Sequence, residues 1–129
     1  MNYHLSNYAS TLRTWVNVHY PHRDKTSDGW IGDLAHSHRV SDHNPDDKGV
    51  VRAIDIDADL VPGAKDRSEA ARLAETLRLD AKAGRRPITY IIHAGKIASP
   101  KQRWVWRPYT GVNPHMHHIH ISFAKKVGE

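Results

Sequence analysis

Residues His118-Ile119-His120-Ile121-Ser122-Phe123 alternate strictly between polar and apolar side chains. An extended chain sends successive side chains to opposite faces. As a strand, this segment buries Ile119, Ile121 and Phe123 on one side and presents His118, His120 and Ser122 on the other. His115 and His117 lie just upstream, which places four imidazoles within six positions. The chain has 11 histidines and no cysteine. A disulfide framework, a Cys-ligated zinc finger and a thiol nucleophile are therefore excluded, and nitrogen and oxygen ligands are favoured.

At 129 residues the chain is the size of one domain, expected to span 1–129. Helical spacing of Leu5, Tyr8, Leu12, Trp15, Val16 and His19 predicts a helix from Asn2 to about Tyr20, ended by Pro21. A polar stretch, Asp33–Gly49, carries His36, His38, Arg39 and His43, and a loop of that length is expected to be functional. Val50–Asp57 is rich in branched residues and predicts a strand. Ser68–Ala83 predicts a second helix, with Ala70, Leu73, Ala74, Leu77 and Ala81 as its apolar stripe. Asp66 or Ser68 would cap it and Gly84 would end it. Ile88–His93 and Lys96–Ala98 predict a hairpin through Ala94-Gly95, followed by a short strand at Trp104-Val105-Trp106. The class is α+β: a small antiparallel or mixed sheet flanked by two or three helices, with the site on one sheet face. No apolar run reaches the length of a membrane span, and the N-terminus lacks the blocks of a signal peptide. The net charge of +5 favours anionic partners in general, without a basic run that would single out nucleic acid.

A catalytic zinc site takes three protein ligands and leaves a position open. His43 and Asp55 supply one imidazole and one carboxylate, and the last strand supplies a further imidazole. Asp57 shares a strand face with Asp55 and is the alternative carboxylate.

Three segments, in order, resemble a known family. Ser41-Asp42-His43, Gly49 with Ala53-Ile54-Asp55, and His118-Ile119-His120 are similar to the Ser-x-His, Gly-x-Ala-x-Asp and late-strand histidine of bacterial cell-wall zinc peptidases. These are the VanY-type D-alanyl-D-alanine carboxypeptidases and the L-alanyl-D-glutamate endopeptidases of phage endolysins. Asp28–Asp33, Ser41–Pro45 and Trp106–Gly111 look more narrowly like actinobacteriophage lysin domains. The resemblance runs from about Asp28 to Phe123. It implies an LAS/hedgehog-like zinc peptidase fold, one Zn²⁺ held by His43, Asp55 and His120, and peptidoglycan as substrate. Two departures stand out. Asp55 follows His43 by twelve positions where the family usually has seven. No acidic residue occupies Pro114–His120, where many members carry the general base.

The base role therefore passes to a histidine, His115, with His118 as an alternative ligand or an oxyanion donor. Arg23 and Arg39 are the candidates for binding the peptide's carboxylate through a bidentate pair. The expected protein is a monomer without nucleic-acid partner, made in the cytoplasm and acting at the cell wall after release through a separate pore, or a domain of a larger lysin. Two rivals are a His-Asn-His-type metal nuclease, suggested by Asp42-His43-Asn44-Pro45, and a non-catalytic wall-binding domain with a structural zinc. The nuclease motif needs a following helix with Asn or His ligands, and Ser68–Ala83 has neither.

Overall fold

A computed structural model of the chain describes residues 3–30, 43–111 and 113–127. The elements in chain order are β1 (His4–Leu5), α1 (Asn7–His19), β2 (Val50–Val51), β3 (Ala53–Asp57), α2 (Ser68–Lys82), β4 (Ile88–His93), β5 (Lys96–Ala98), a 3₁₀ turn (Lys101–Trp104), β6 (Arg107–Pro108) and β7 (His118–Phe123). The five-stranded sheet has the order β3-β7-β4-β5-β6, and its pairs are antiparallel. A two-stranded parallel sheet joins β1 to β2. The class is α+β, as the element pattern predicts. Among the described residues no helix is long and apolar enough to cross a membrane.

Alternation decides which sheet face is covered. Ile54 lies opposite Ile121 and Ile56 opposite Ile119, while Asp55 lies opposite His120 and Asp57 opposite His118. The isoleucines join Leu12, Val16, Leu73 and Leu77 of the two helices in one buried cluster. A shift in register between Ile88 and Tyr90 lets Ile88 and Ile91 both reach that cluster. The helices thus cover the apolar face, and the opposite face of β3 and β7 carries Asp55, Asp57, His118 and His120.

Local sequence explains most of the element ends. Ser6 caps α1 by accepting from Ala9 N–H, and Ala9, Leu12 and Val16 are its buried stripe. The helix begins at Asn7 rather than Asn2, because His4–Leu5 are drawn into pairing with Val50–Val51. The predicted Val50–Asp57 strand breaks at Arg52, since its two halves belong to different sheets. Around α2 the predicted stripe is the buried one, and Gly84 ends the helix at φ +76°. Neither predicted cap sits at the N-cap, which is Arg67; Asp66 Oδ1 instead accepts from Ser68 N–H and Oγ–H. The hairpin turn forms as expected, with Ala94 and Gly95 both at positive φ, the geometry whose twist suits a two-residue connection.

The strand expected at Trp104–Trp106 is absent. Gln102, Arg103 and Trp104 instead turn with φ of +58°, +56° and +68°, a left-handed run that costs non-glycine residues about 1–2 kcal/mol each. Packing outweighs this cost. Trp104 is buried in the core, its carbonyl accepts from Arg78 Nη1–H, and Trp106 Nε1–H donates to Glu75.

Candidate metal centre

On the polar face, β3 and β7 set Asp55 and His120 side by side. His43 enters from the chain preceding β2. Its Nδ1 lies 3.0 Å from the Trp30 carbonyl oxygen, which can only accept, so Nδ1 carries the proton. In the neutral ring the lone pair is then on Nε2, which lies 3.2 Å from Asp55 Oδ1 and 3.0 Å from His120 Nδ1. His120 Nδ1 is itself 3.2 Å from Asp55 Oδ1, and its Nε2 is 2.8 Å from Ser122 Oγ. With Nε2–H donating to Ser122, His120 also turns a lone pair inward. Three acceptors then converge with no hydrogen between them, and this group could hold a metal ion.

The spacing suits a small dication. A tetrahedral ion with ligand bonds of about 2.0–2.1 Å keeps its ligand atoms about 3.3 Å apart, close to the distances found. Tyr90 on β4 stacks on the His120 ring, with centroids 5.2 Å apart and planes 13° from parallel. The Trp30 carbonyl and the Ser122 hydroxyl fix the two imidazoles from outside, as supporting groups do at metal sites.

A second imidazole pair lies beside the first group. His118 Nε2 is 3.6 Å from Asp55 Oδ2, and the His115 ring meets the His118 ring edge-on with centroids 4.8 Å apart. Among the described residues, His115 Nδ1 and His118 Nε2 are buried without a hydrogen-bond partner. His115 has φ +58°, a conformation that strains a residue with a Cβ. Asn113 Oδ1 accepting from His115 N–H, and Ala94 N–H donating to its carbonyl, hold it there. Strain secured by surrounding contacts is characteristic of working sites.

Charges follow burial. For Asp55, burial opposes ionisation, but the adjoining imidazoles of His120 and His43 outweigh it and hold the carboxyl below its usual range. Burial, reinforced by its imidazole neighbours, pushes His115 down to about 4. Burial also lowers His118, against the opposing pull of Asp55. Near neutral pH Asp55 is thus a carboxylate and His115 and His118 are neutral imidazoles, protonation states that suit metal ligation.

The structure separates the other candidates. Asp57 accepts from Ser27 N–H, Ser27 Oγ–H and Asp59 N–H. It fastens the 24–28 turn to the end of β3, and Asp55 is the carboxylate between the imidazoles. Arg23 corrects an expectation. Its side chain is fully buried, forms a bidentate pair with Asp28, and gives its remaining donors to Asn17 Oδ1 and the Asp24 carbonyl. All five N–H groups are used, so none is left for a substrate carboxylate. Arg39 lies outside the described residues, as do His36, His38, Ser41 and Asp42. His117 faces away from the cluster, with Nδ1 3.3 Å from Arg67 Nη1. The supporting roles of Trp30, Tyr90 and Asn113 escape sequence reasoning. Trp30 acts through its backbone carbonyl and Asn113 through a side-chain oxygen in a loop, and Tyr90 depends on β4 being the neighbour of β7.

The chain matches no family model, no curated protein and no solved structure, so the chemistry of the site carries the functional argument.

Proposed function

We propose that this protein is a zinc-dependent peptidase that hydrolyses an amide bond in the peptide part of bacterial peptidoglycan. The observation that carries the reading is the convergence of His43 Nε2, Asp55 Oδ1 and His120 Nδ1 within 3.0–3.2 Å of one another. Two nitrogens and one carboxylate oxygen suit Zn²⁺, and three protein ligands leave a coordination position for chemistry. When bound there, the ion would polarise a scissile carbonyl and bring the pKa of a water towards 7.

The chain's own groups supply the rest. Among the described residues His115 Nδ1 is buried without a partner; as a weak base it accepts the attacking water's proton only as the new C–O bond forms, and as a strong acid it returns that proton to the leaving amine. His118 Nε2, on the same strand face as His120, donates to the oxygen that gains charge. Its distance of 3.6 Å from Asp55 Oδ2 keeps it beside the reacting groups without committing it to the carboxylate. Arg39 is the guanidinium left to bind a substrate carboxylate. The choice of substrate rests on the ordered motifs of His43, Asp55 and His120 and their resemblance to cell-wall peptidases.

The test is digestion of purified peptidoglycan by metal-stripped and zinc-restored protein. New amino termini should appear only with zinc. Release of reducing sugar without amino termini, or no release by zinc-loaded protein, would overturn the proposal.

A further inference from the structure

Asp55 has one oxygen in the group with His43 and His120, and its other oxygen faces a different pair of imidazoles. Oδ1 lies 3.2 Å from both His43 Nε2 and His120 Nδ1, whereas Oδ2 lies 3.6 Å from His118 Nε2. Asp55, His115 and His118 form a second set in which one ligand atom of each lies within 4.8 Å of the others. Among the described residues, His115 Nδ1 and His118 Nε2 are buried and have no hydrogen-bond partner. Leaving two such buried atoms unpaired is costly, and a cation bound by the tautomers that turn both lone pairs outward, in place of the Nε2–H that His118 uses in hydrolysis, removes that cost.

We infer that Asp55 is a bridging carboxylate between two adjacent cation sites: His43 and His120 complete the first through Oδ1, and His115 and His118 complete the second through Oδ2. Two-metal hydrolytic sites hold their ions about 3.5–4 Å apart, a span that one carboxylate can bridge. Nitrogen and carboxylate donors select a divalent ion of the zinc or cobalt type for the second site too. A single negative charge shared by two dications makes the second ion bind more weakly. On the peptidase reading, on which this last consequence rests, the second ion ties up His115 and His118 and so inhibits. Activity then peaks near one equivalent of zinc and falls with excess.

The test is titration of metal-free protein with Zn²⁺ and Co²⁺, counting bound ions by equilibrium dialysis with elemental analysis. Two ions per chain are expected, the second held at least tenfold more weakly. His118→Ala and His115→Ala should each bind one ion, with the first affinity changed less than about threefold. Wild-type protein that stops at one ion, or variants that still bind two, would overturn the inference. Cobalt resonance on the unaltered chain guards against misfolded variants: two equivalents should give a spin-coupled pair, and two independent signals would contradict a bridge. Hydrolysis is read separately. Two bound ions without hydrolysis at any loading would overturn the peptidase reading and leave the bridge standing, and one bound ion with hydrolysis would do the reverse.

Discussion

Asp55 and Arg23 show how the same kind of polar residue can serve the site or the scaffold. Asp55 has imidazoles around both oxygens, so replacing it removes the only charge in the ligand set. Asp55→Asn should weaken zinc binding by about 100-fold or more, since loss of supporting groups alone costs about 10–100-fold at metal sites. Competition with a chelating dye checks this, and near-wild-type affinity would exclude Asp55 as a ligand. Arg23 binds Asp28, Asn17 and the Asp24 carbonyl, and Asp28 Oδ1 in turn accepts from Asp57 N–H. Breaking a buried pair on one side costs about 3–5 kcal/mol. Asp28 is partly exposed and can take up water, so Arg23→Ala should destabilise by about 3 kcal/mol in urea denaturation while zinc affinity changes little. The role of Arg23 was hidden in the sequence because its partners lie on α1 and in a turn. Charge type alone cannot separate a substrate clamp from a scaffold pin.

Between elements, the Glu75 contacts that tie α2 to Trp106, just after the 3₁₀ turn, should weaken in acid. Hydrogen bonds from Arg78 come first among the causes that hold Glu75 down to about 2, with Trp106 Nε1–H adding to them against burial. A depressed folded-state pKa stabilises the protein above the unfolded value near 4.5, and the contribution is lost as pH falls from there towards about 2. Glu75→Gln should therefore flatten the dependence of urea midpoint on pH between 4.5 and 2, with no change in slope above pH 6. The indole–carboxylate link also explains what the sequence left unread here. Trp104-Val105-Trp106 has strand composition, yet Trp104 is drawn into the core and its chain turns left-handed to reach it. Long-range packing overrode local propensity. In β7 the two agree: alternation alone sorted His118, His120 and Ser122 from Ile119, Ile121 and Phe123, because a strand with one covered face has a single workable register. His43 could be placed near Asp55 only by motif, since no periodicity crosses the polar stretch before β2.

For the whole molecule, two helices cover one face of the sheet and leave its other face to the imidazoles, so metal binding and folding are linked. The three ligands come from β3, β7 and the chain before β2, and unfolding scatters them. Free zinc at 100 times its dissociation constant should raise stability by about 2.7 kcal/mol, seen as a higher urea midpoint that a chelator reverses. His43→Ala should lose that increment while keeping the metal-free midpoint nearly unchanged. The most direct test of the central claim is anomalous diffraction at the zinc edge from crystals grown with one equivalent of zinc. A peak bound by His43 Nε2, Asp55 Oδ1 and His120 Nδ1, with a coordination position not filled by protein, is expected. A peak elsewhere on the chain, or an ion closed by four protein ligands, would contradict it.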